Sequence, residues 1–283
     1  IIALKAGISE HGAAAAASHT GSLAGATKVY GAAFQQCGIV QATDLEDLFN
    51  LTSVFSLQPP MKGDNYLITT NGGGVGVLAT DAAEFYGLPL QFVPKDVQEE
   101  FKKYMPEFGS AKNPVDMTGM AGNDWYYQTT KFAISHPWVD GLTVLYCETA
   151  ITNPLEIAQH IHKAIVESGI KDKPVSVSMV GGEKCEKAIQ WLIENGIPAF
   201  WAPDLAVRAI AALRQFTRAR EKLQYQFTSY KDIDKEKAKS VIAKARADKR
   251  TALTEIESKD VFAAYGLPVT KTLLAKSEDE AVQ

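Results

Sequence analysis

The chain has 283 residues, 46% of them hydrophobic, enough for about two domains with real cores. Its formal net charge of -4 argues against a nucleic-acid-binding surface, and no apolar run of ~18 residues is present to span a membrane. Cys37, Cys147 and Cys185 are odd in number and far apart, without metal-ligand or disulfide spacing, which points to a reducing compartment, the cytoplasm. The chain opens inside the buried-strand pattern Ile1-Ile2-Ala3-Leu4 with no initiator Met. It closes at Gln283 within a charged helical pattern, so an internal piece of a longer polypeptide is expected.

Residues 1–57 read as strand, Gly-rich loop, helix, strand and helix. Within the loop, the small residues of Ala13–Gly25 surround one imidazole, His19, flanked by Ser18, Thr20 and Gly21. Two readings are open on residue types alone: an incidental His in an Ala-rich loop at a helix start, or a ring free to present a nitrogen to a phosphate. The helix from Asp44 to Phe55 places Leu45, Leu48, Phe49 and Leu51 at a 3.6-residue spacing, with Thr43 or Asp44 as N-cap and Asp47 in the first turn. Gln58-Pro59-Pro60 ends this unit, because a proline pair cannot continue a helix.

Residues 61–215 repeat a strand–loop–helix rhythm, which predicts parallel strands joined by crossover helices. The clearest strands are Tyr66 to Thr70, Leu142 to Cys147 and Val175 to Met179. Pro198 to Trp201 gives a last strand and Leu205 to Gln215 a last helix. Ligands of such open sheets bind at the carboxyl ends of the strands, which singles out the loops after Thr70, Cys147 and Met179. The first loop, Asn71-Gly72-Gly73-Gly74-Val75-Gly76, precedes a helix predicted from Val77 to Tyr86. It is neither a dinucleotide fingerprint nor a Walker A loop. Its glycines serve either a tight turn or an anion held by backbone N–H groups at a helix start. The second loop, Glu148-Thr149-Ala150-Ile151-Thr152-Asn153-Pro154, puts Pro154 in the first turn of the next helix, and a simple capped helix is the competing reading. Glu148 disfavours a phosphate there unless it turns away or is hydrogen-bonded. Gly181-Gly182-Glu183 begins a third helix. Asp116, in Asn113-Pro114-Val115-Asp116, is expected to fix a loop by Asx-type hydrogen bonds. His160 and His162 are two apart on a helix and face different sides, so they cannot share a metal, and no metal-binding residues are assigned.

Residues 216–250 mix acids with bases and read as a solvated helical linker rather than an RNA-binding arm. Beyond them, Thr254 with Glu257 forms a capping box, Gly266 and Pro268 stop the helix, a strand is predicted from Val269 to Ala275, and a helix opens at Ser277.

The segment Ile1 to Gly12, followed by Ala-Ala-Ser-His-Thr-Gly-Ser-Leu-Ala-Gly, closely resembles the phosphohistidine segment of the NDP-forming acyl-CoA synthetases, the ADP-forming acetyl-CoA synthetases of the succinyl-CoA synthetase superfamily. Val29 to Gly38 resembles the helix after the histidine loop in that family. Asn71 to Gly76 is similar to its Asn-Ala-Gly-Gly-x-Gly segment, with Gly72 for Ala and Val75 where Pro is common. Asn113 to Asp116 matches its Asn-Pro-x-Asp segment.

The resemblance implies an α/β fold of flavodoxin-like (Rossmann-like), parallel, three-layer domains followed by the start of an ATP-grasp domain. Residues 1–57 would be the C-terminal part of the histidine-bearing domain, 58–215 a second flavodoxin-like CoA-ligase domain, 216–250 the linker, and 251–283 the ATP-grasp opening. It implies the reaction acyl-CoA + ADP + phosphate ⇌ acid + CoA + ATP. The acid would be acetate, propionate, or a hydroxy acid such as 3-hydroxypropionate or 4-hydroxybutyrate. His19 would carry the phosphoryl group on a swinging loop, attacking through a neutral nitrogen that an ordinary imidazole pKa of ~6.5 makes available. Ser18, Thr20, Gly21, Asn71, Gly72, Gly73, Gly74, Thr149, Ala150, Ile151 and Thr152 would line the acid and phosphate site. Mg2+, ATP/ADP and CoA would be held mainly by parts of the enzyme outside this chain, and a homo-oligomer is expected. A regulatory or acetyltransferase protein that keeps synthetase-like domains as an acyl-CoA or nucleotide sensor is the rival reading, and the complete histidine motif argues against it. A non-catalytic flavodoxin-like ligand-binding module is the third.

Overall fold

The computed structural model describes residues 1–20, 27–223, 230, 233–273, 275 and 277–282, with the side chains of residues 19, 20, 223 and 281 also outside the description. Two compact units are present, Ile1–Tyr225 and Gln226–Gln283.

The first unit opens with β1 (Ile2–Leu4), α1 (Glu10–Thr20), α2 (Thr27–Cys37), β2 (Val40–Ala42) and α3 (Leu45–Leu57). β1 and β2 pair in parallel, Ile2 opposite Val40. The predicted loop before His19 is instead helical. Five consecutive alanines carry the highest helix propensity of any residue, and Ser9 starts the turn, its hydroxyl accepting from the Gly12 N–H at 3.1 Å. Asp44 is the N-cap of α3, accepting from the Asp47 N–H at 2.8 Å.

A five-stranded parallel sheet follows, with helices on both faces. In chain order its elements are β3 (Tyr66–Thr70), α4 (Gly73–Phe85), α5 (Lys95–Phe101), β4 (Val115–Asp116), α6 (Asn123–Ser135), β5 (Gly141–Cys147), α7 (Pro154–Ser168), β6 (Val175–Val180), α8 (Glu183–Glu194), β7 (Ala199–Phe200) and α9 (Pro203–Leu223). The strand order β4-β3-β5-β6-β7 is the flavodoxin order, 2-1-3-4-5 counted within the sheet. Leu142, Val144 and Tyr146 of β5 turn to one core with Tyr126, Ile157 and Cys185, whereas Leu145 turns to the other with Ala79, Ala83 and Ile210. That alternation is the two-residue period of a strand buried on both faces.

α9 runs well past residue 215. Ala206, Val207, Ile210 and Leu213 pack against the large sheet, while Ala212 and the half-buried Phe216 pack with Val40 and Ala42 of the small one and Leu51 of α3. The partly buried Arg208 of α9 adds a tie to β2 and α3: its guanidinium lies 3.2 Å from the Asp47 carboxylate and donates to the Gln41 carbonyl at 2.9 Å.

In the second unit α10 (Lys235–Ala247) and α11 (Glu255–Ala264) bury Ala238, Ala245 and Ala264, and α12 (Glu278–Val282) follows. The Thr254–Glu257 capping box is formed in both directions. Residues 269–273 and 275 are not a strand, because among the described residues no neighbouring strand accepts or donates the ladder hydrogen bonds. No helix among the described residues is long and apolar enough to cross a membrane.

Candidate active site at the switch point of the sheet

In the order 2-1-3-4-5 the chain reverses its direction of sheet growth between the first and third strands, here β3 and β5. The crevice beyond their carboxyl ends is where such sheets bind ligands. β3 and β5 are adjacent and parallel, Thr70 opposite Leu145, so the loops after them emerge side by side.

Asn71 closes β3 and is 3% exposed. Its carboxamide is held by one backbone unit of the neighbouring strand: Nδ2 donates to the Cys147 carbonyl at 2.9 Å, and Oδ1 accepts from the Cys147 N–H at 2.7 Å. Asn71 therefore clamps the two strand ends together at the crevice. The Thr70 hydroxyl turns the chain next, accepting from the Gly72 N–H at 3.0 Å.

The helix after this turn begins at Gly73, four residues before the expected start at Val77, and Gly72 is its N-cap without a side-chain cap. Packing rather than propensity decides this. A Cβ on Gly76 would lie 3.3 Å from Thr70 Cγ2, so the bare backbone lets α4 lie close on β3. Gly73, Gly74 and Val75 are the first three residues of the helix, and no acceptor among the described residues binds their N–H groups. A Cβ on Gly74 would meet nothing within 4 Å. Of the five helices that follow the strands of this sheet, α4 alone has no acidic residue in its first turn; the others carry Asp124, Glu156, Glu183 with Glu186, and Asp204. Two of them are also filled from within: Asn153 caps α7 by accepting from the Leu155 N–H at 3.0 Å, and Glu148 reaches α8. The helix start best suited to an anion is thus the glycine-built one.

Asp116 ends β4 beside it. Oδ1 accepts from the Thr118 N–H at 2.8 Å, the Asx bond expected from the sequence, and supports Thr118 at φ +70. Oδ2 lies 3.1 Å from where a Gly73 Cβ would sit.

Across the crevice, Thr149 and Thr152 share a hydroxyl contact of 2.9 Å, and Tyr146 reaches Thr152 at 2.7 Å. Burial pushes the Tyr146 phenol above its usual range, so it remains a neutral partner in this chain of hydroxyls. Ala150 and Ile151 form the exposed tip. Asn153 before Pro154 is the cap of α7, and Asn followed by Pro at the first helical position is a recognisable start in the sequence.

Ser18 and His19 lie near the end of α1. The Ser18 hydroxyl donates to the Ala15 carbonyl at 2.7 Å, so its proton is already spent within the helix. Gly21 and the side chains of His19 and Thr20 fall outside the described residues. His160 binds back to the Glu156 carbonyl and His162 packs edge-on to Trp191, so the two point apart as expected. Among the described residues no group of three or more His, Cys, Asp or Glu side chains is placed to share a metal ion.

Comparison with known proteins bears on this arrangement. Residues 66–224 match the family model of the Ligase-CoA domain, residues 1–55 that of the succinyl-CoA ligase like flavodoxin domain, and residues 244–283 that of the ATP-grasp domain. The chain is 48% identical over 225 residues to the alpha subunit of acetate–CoA ligase [ADP-forming] I of Pyrococcus furiosus, a match covering 78% of this chain and 48% of that protein. It is 30% identical to the 4-hydroxybutyrate–CoA ligase [ADP-forming] of Nitrosopumilus maritimus, over 100% of this chain and 40% of that protein. Among solved structures, the dinucleotide forming acetyl-coenzyme A synthetase 1 of Ca. Korarchaeum cryptofilum, in complex with phosphate and ADP, is similar with a TM-score of 0.77 and 44% identity, covering 81% of this chain and 49% of that one. The chain thus spans about half the length, or less, of these relatives. With more than half of its residues inside the first of these models and a parallel α/β fold to match, the chain belongs to the Ligase-CoA domain family, its first residues matching the succinyl-CoA ligase like flavodoxin domain.

Proposed function

We propose that the chain is part of an ADP-forming acyl-CoA synthetase that interconverts acyl-CoA, ADP and phosphate with a short-chain carboxylic acid, CoA and ATP. The observation that carries the reading is the start of α4 at the switch point, uncapped and with no acid in its own first turn, on the strand next to the one that leads into the Thr149–Thr152 loop. Phosphate attacks the thioester carbonyl, the C–S bond breaks, and CoA thiolate leaves with an acyl phosphate remaining. A neutral nitrogen of His19 then attacks phosphorus, the P–O bond to the acyl group breaks, and the acid leaves. The phosphoryl group finally passes to ADP and His19 is regenerated. The Gly73, Gly74 and Val75 N–H groups would hold the anionic oxygens through this sequence, and the Thr149 and Thr152 hydroxyls would orient the acid.

On this reading residues 1–57 close the histidine-bearing domain, 58–215 form the second flavodoxin-like domain, 216–250 link it onward, and 251–283 open the ATP-grasp domain. Mg2+, ADP and CoA are assigned mainly to the remaining domains of the polypeptide. The reading places the protein in the cytoplasm as a homo-oligomer.

The test is phosphoryl transfer in the full-length enzyme. Incubation with ATP and Mg2+ is expected to add an acid-labile, base-stable phosphoryl group, mapped by mass spectrometry to His19 and lost in His19→Ala. Label retained in that variant, or found on His11, would sink the assignment. A panel of monocarboxylic and hydroxy acids would then name the substrate.

A further inference from the structure

Glu148 stands where β5 ends and the Thr149–Thr152 loop begins. β5 and β6 run in register here, Cys147 opposite Val180, and the Glu148 N–H donates to the Val180 carbonyl at 2.9 Å. Glu148 and Gly181 therefore leave the sheet side by side. Beyond them α8 starts at the N-cap Gly182, which has no side chain with which to cap it. The missing acceptor comes from the neighbouring loop: Glu148 Oε2 accepts from the Gly182 N–H at 3.0 Å, with the buried Cys185 Sγ at 3.9 Å from the same oxygen. A carboxylate at a helix start meets both an unpaired donor and the positive end of the helix dipole.

The fit leaves no spare room. A Cβ on Gly181 would come 2.5 Å from Glu148 Oε2 and 2.5 Å from Cys185 Sγ, closer than real Cβ atoms pack. Burial, joined by the Glu148 carboxylate, pushes the Cys185 thiol up to about 12, so it stays protonated beside that carboxylate. The far end of the loop is tied separately by the Tyr146–Thr152–Thr149 hydroxyls.

We infer that Glu148 is a positioning residue of the proposed site, its carboxylate latching the Thr149–Thr152 loop to the start of α8 so that the loop faces Gly72–Gly74 across the switch point. The inference rests on the functional reading above. It also answers the objection that an acid in this loop would repel phosphate: the carboxylate is turned to α8 and fills that helix start, leaving the start of α4 for the substrate anion.

The test uses the full-length enzyme with Glu148→Ala, Glu148→Gln and Gly181→Ala. The Gln side chain keeps an oxygen for the Gly182 N–H, and Gly181 lies outside the left-handed region, so Ala there disturbs its contacts with Glu148 and Cys185 without backbone strain. Two readouts are taken: amide hydrogen exchange across residues 149–153 and Gly182, and KM against kcat for acetate. Glu148→Ala and Gly181→Ala are expected to speed exchange in this loop and to raise KM about tenfold, the order of one charge-assisted hydrogen bond, with kcat changed less. Glu148→Gln is expected to recover most of both. Unchanged exchange or unchanged KM in Glu148→Ala would overturn the latch, as would Glu148→Gln failing as badly as Glu148→Ala. Exchange needs no turnover, so a wild type inactive with every acid would defeat the functional reading while the exchange data still decide whether the latch exists.

Discussion

Gly73→Val separates the chemistry of the crevice from its folding. Gly73 is helical with an ordinary φ, so a side chain there meets no backbone strain. The new Cβ would sit 3.1 Å from Asp116 Oδ2, a contact relieved by a small shift of that carboxylate, for a cost of about 1 kcal/mol or less. The two methyls would stand over the N–H groups of Gly73, Gly74 and Val75 and hold an incoming oxygen away. Losing one charge-assisted hydrogen bond weakens the interaction by about 1.5–3 kcal/mol, roughly ten- to a hundredfold in rate or affinity. Gly74→Ala serves as the comparison for stability alone. Its Cβ enters open space, and the helix gains roughly 0.5–1 kcal/mol from the lost glycine entropy. The assay is turnover of the full-length enzyme alongside thermal unfolding of each variant. Gly73→Val folded as well as wild type and turning over within about threefold of it would refute the argument, and the α4 anion site should then be given up.

Three further outcomes follow from the geometry. Asn71→Ala strands the N–H and carbonyl of Cys147 at a buried strand end and is expected to lower stability by about 2–4 kcal/mol in urea unfolding; a loss below about 1 kcal/mol would show that the clamp is dispensable. The hydrogen bond from Arg214, opposed by burial and aided by Arg218, holds the Asp64 carboxyl below its usual range. A depressed folded pKa contributes stability that is present above the unfolded value of ~3.9 and is lost as pH falls through the folded one, so Asp64→Asn is expected to flatten the stability curve below about pH 4, and an unaltered acid limb would count against it. The Cys185 thiol, buried and raised to about 12, is expected to resist iodoacetamide in the native protein while the exposed Cys37 reacts; equal labelling of the two would contradict the packed latch.

The strands, caps and stops of this protein are written locally. The apolar runs Tyr66–Thr70, Gly141–Cys147 and Val175–Val180 follow strand chemistry, and Asp44, Pro154 and the Thr254–Glu257 box mark helix starts, because each depends on residues within one turn of itself. The sequence also pointed to the loops after β3 and β5, since loops at the carboxyl ends of parallel strands carry ligands. Two local signals point away from the observed structure. The small residues before His19 read as a loop, yet the alanines among them favour helix, and the glycines at 73 and 74 read as a turn, yet do not delay α4 once Gly76 packs on Thr70. Val269–Ala275 shows a strand-like pattern that becomes a strand only beside a partner. Tertiary structure alone set the order that makes β3 and β5 neighbours. It also joined Asn71 to Cys147, 76 residues apart, Glu148 to Gly182, 34 apart, and Arg208 to Asp47, 161 apart. Hydrogen-bond partners so distant along the chain leave no periodicity or spacing to read; they meet only when the sheet has assembled and each polar group must find whichever acceptor or donor the packing brings within about 3 Å.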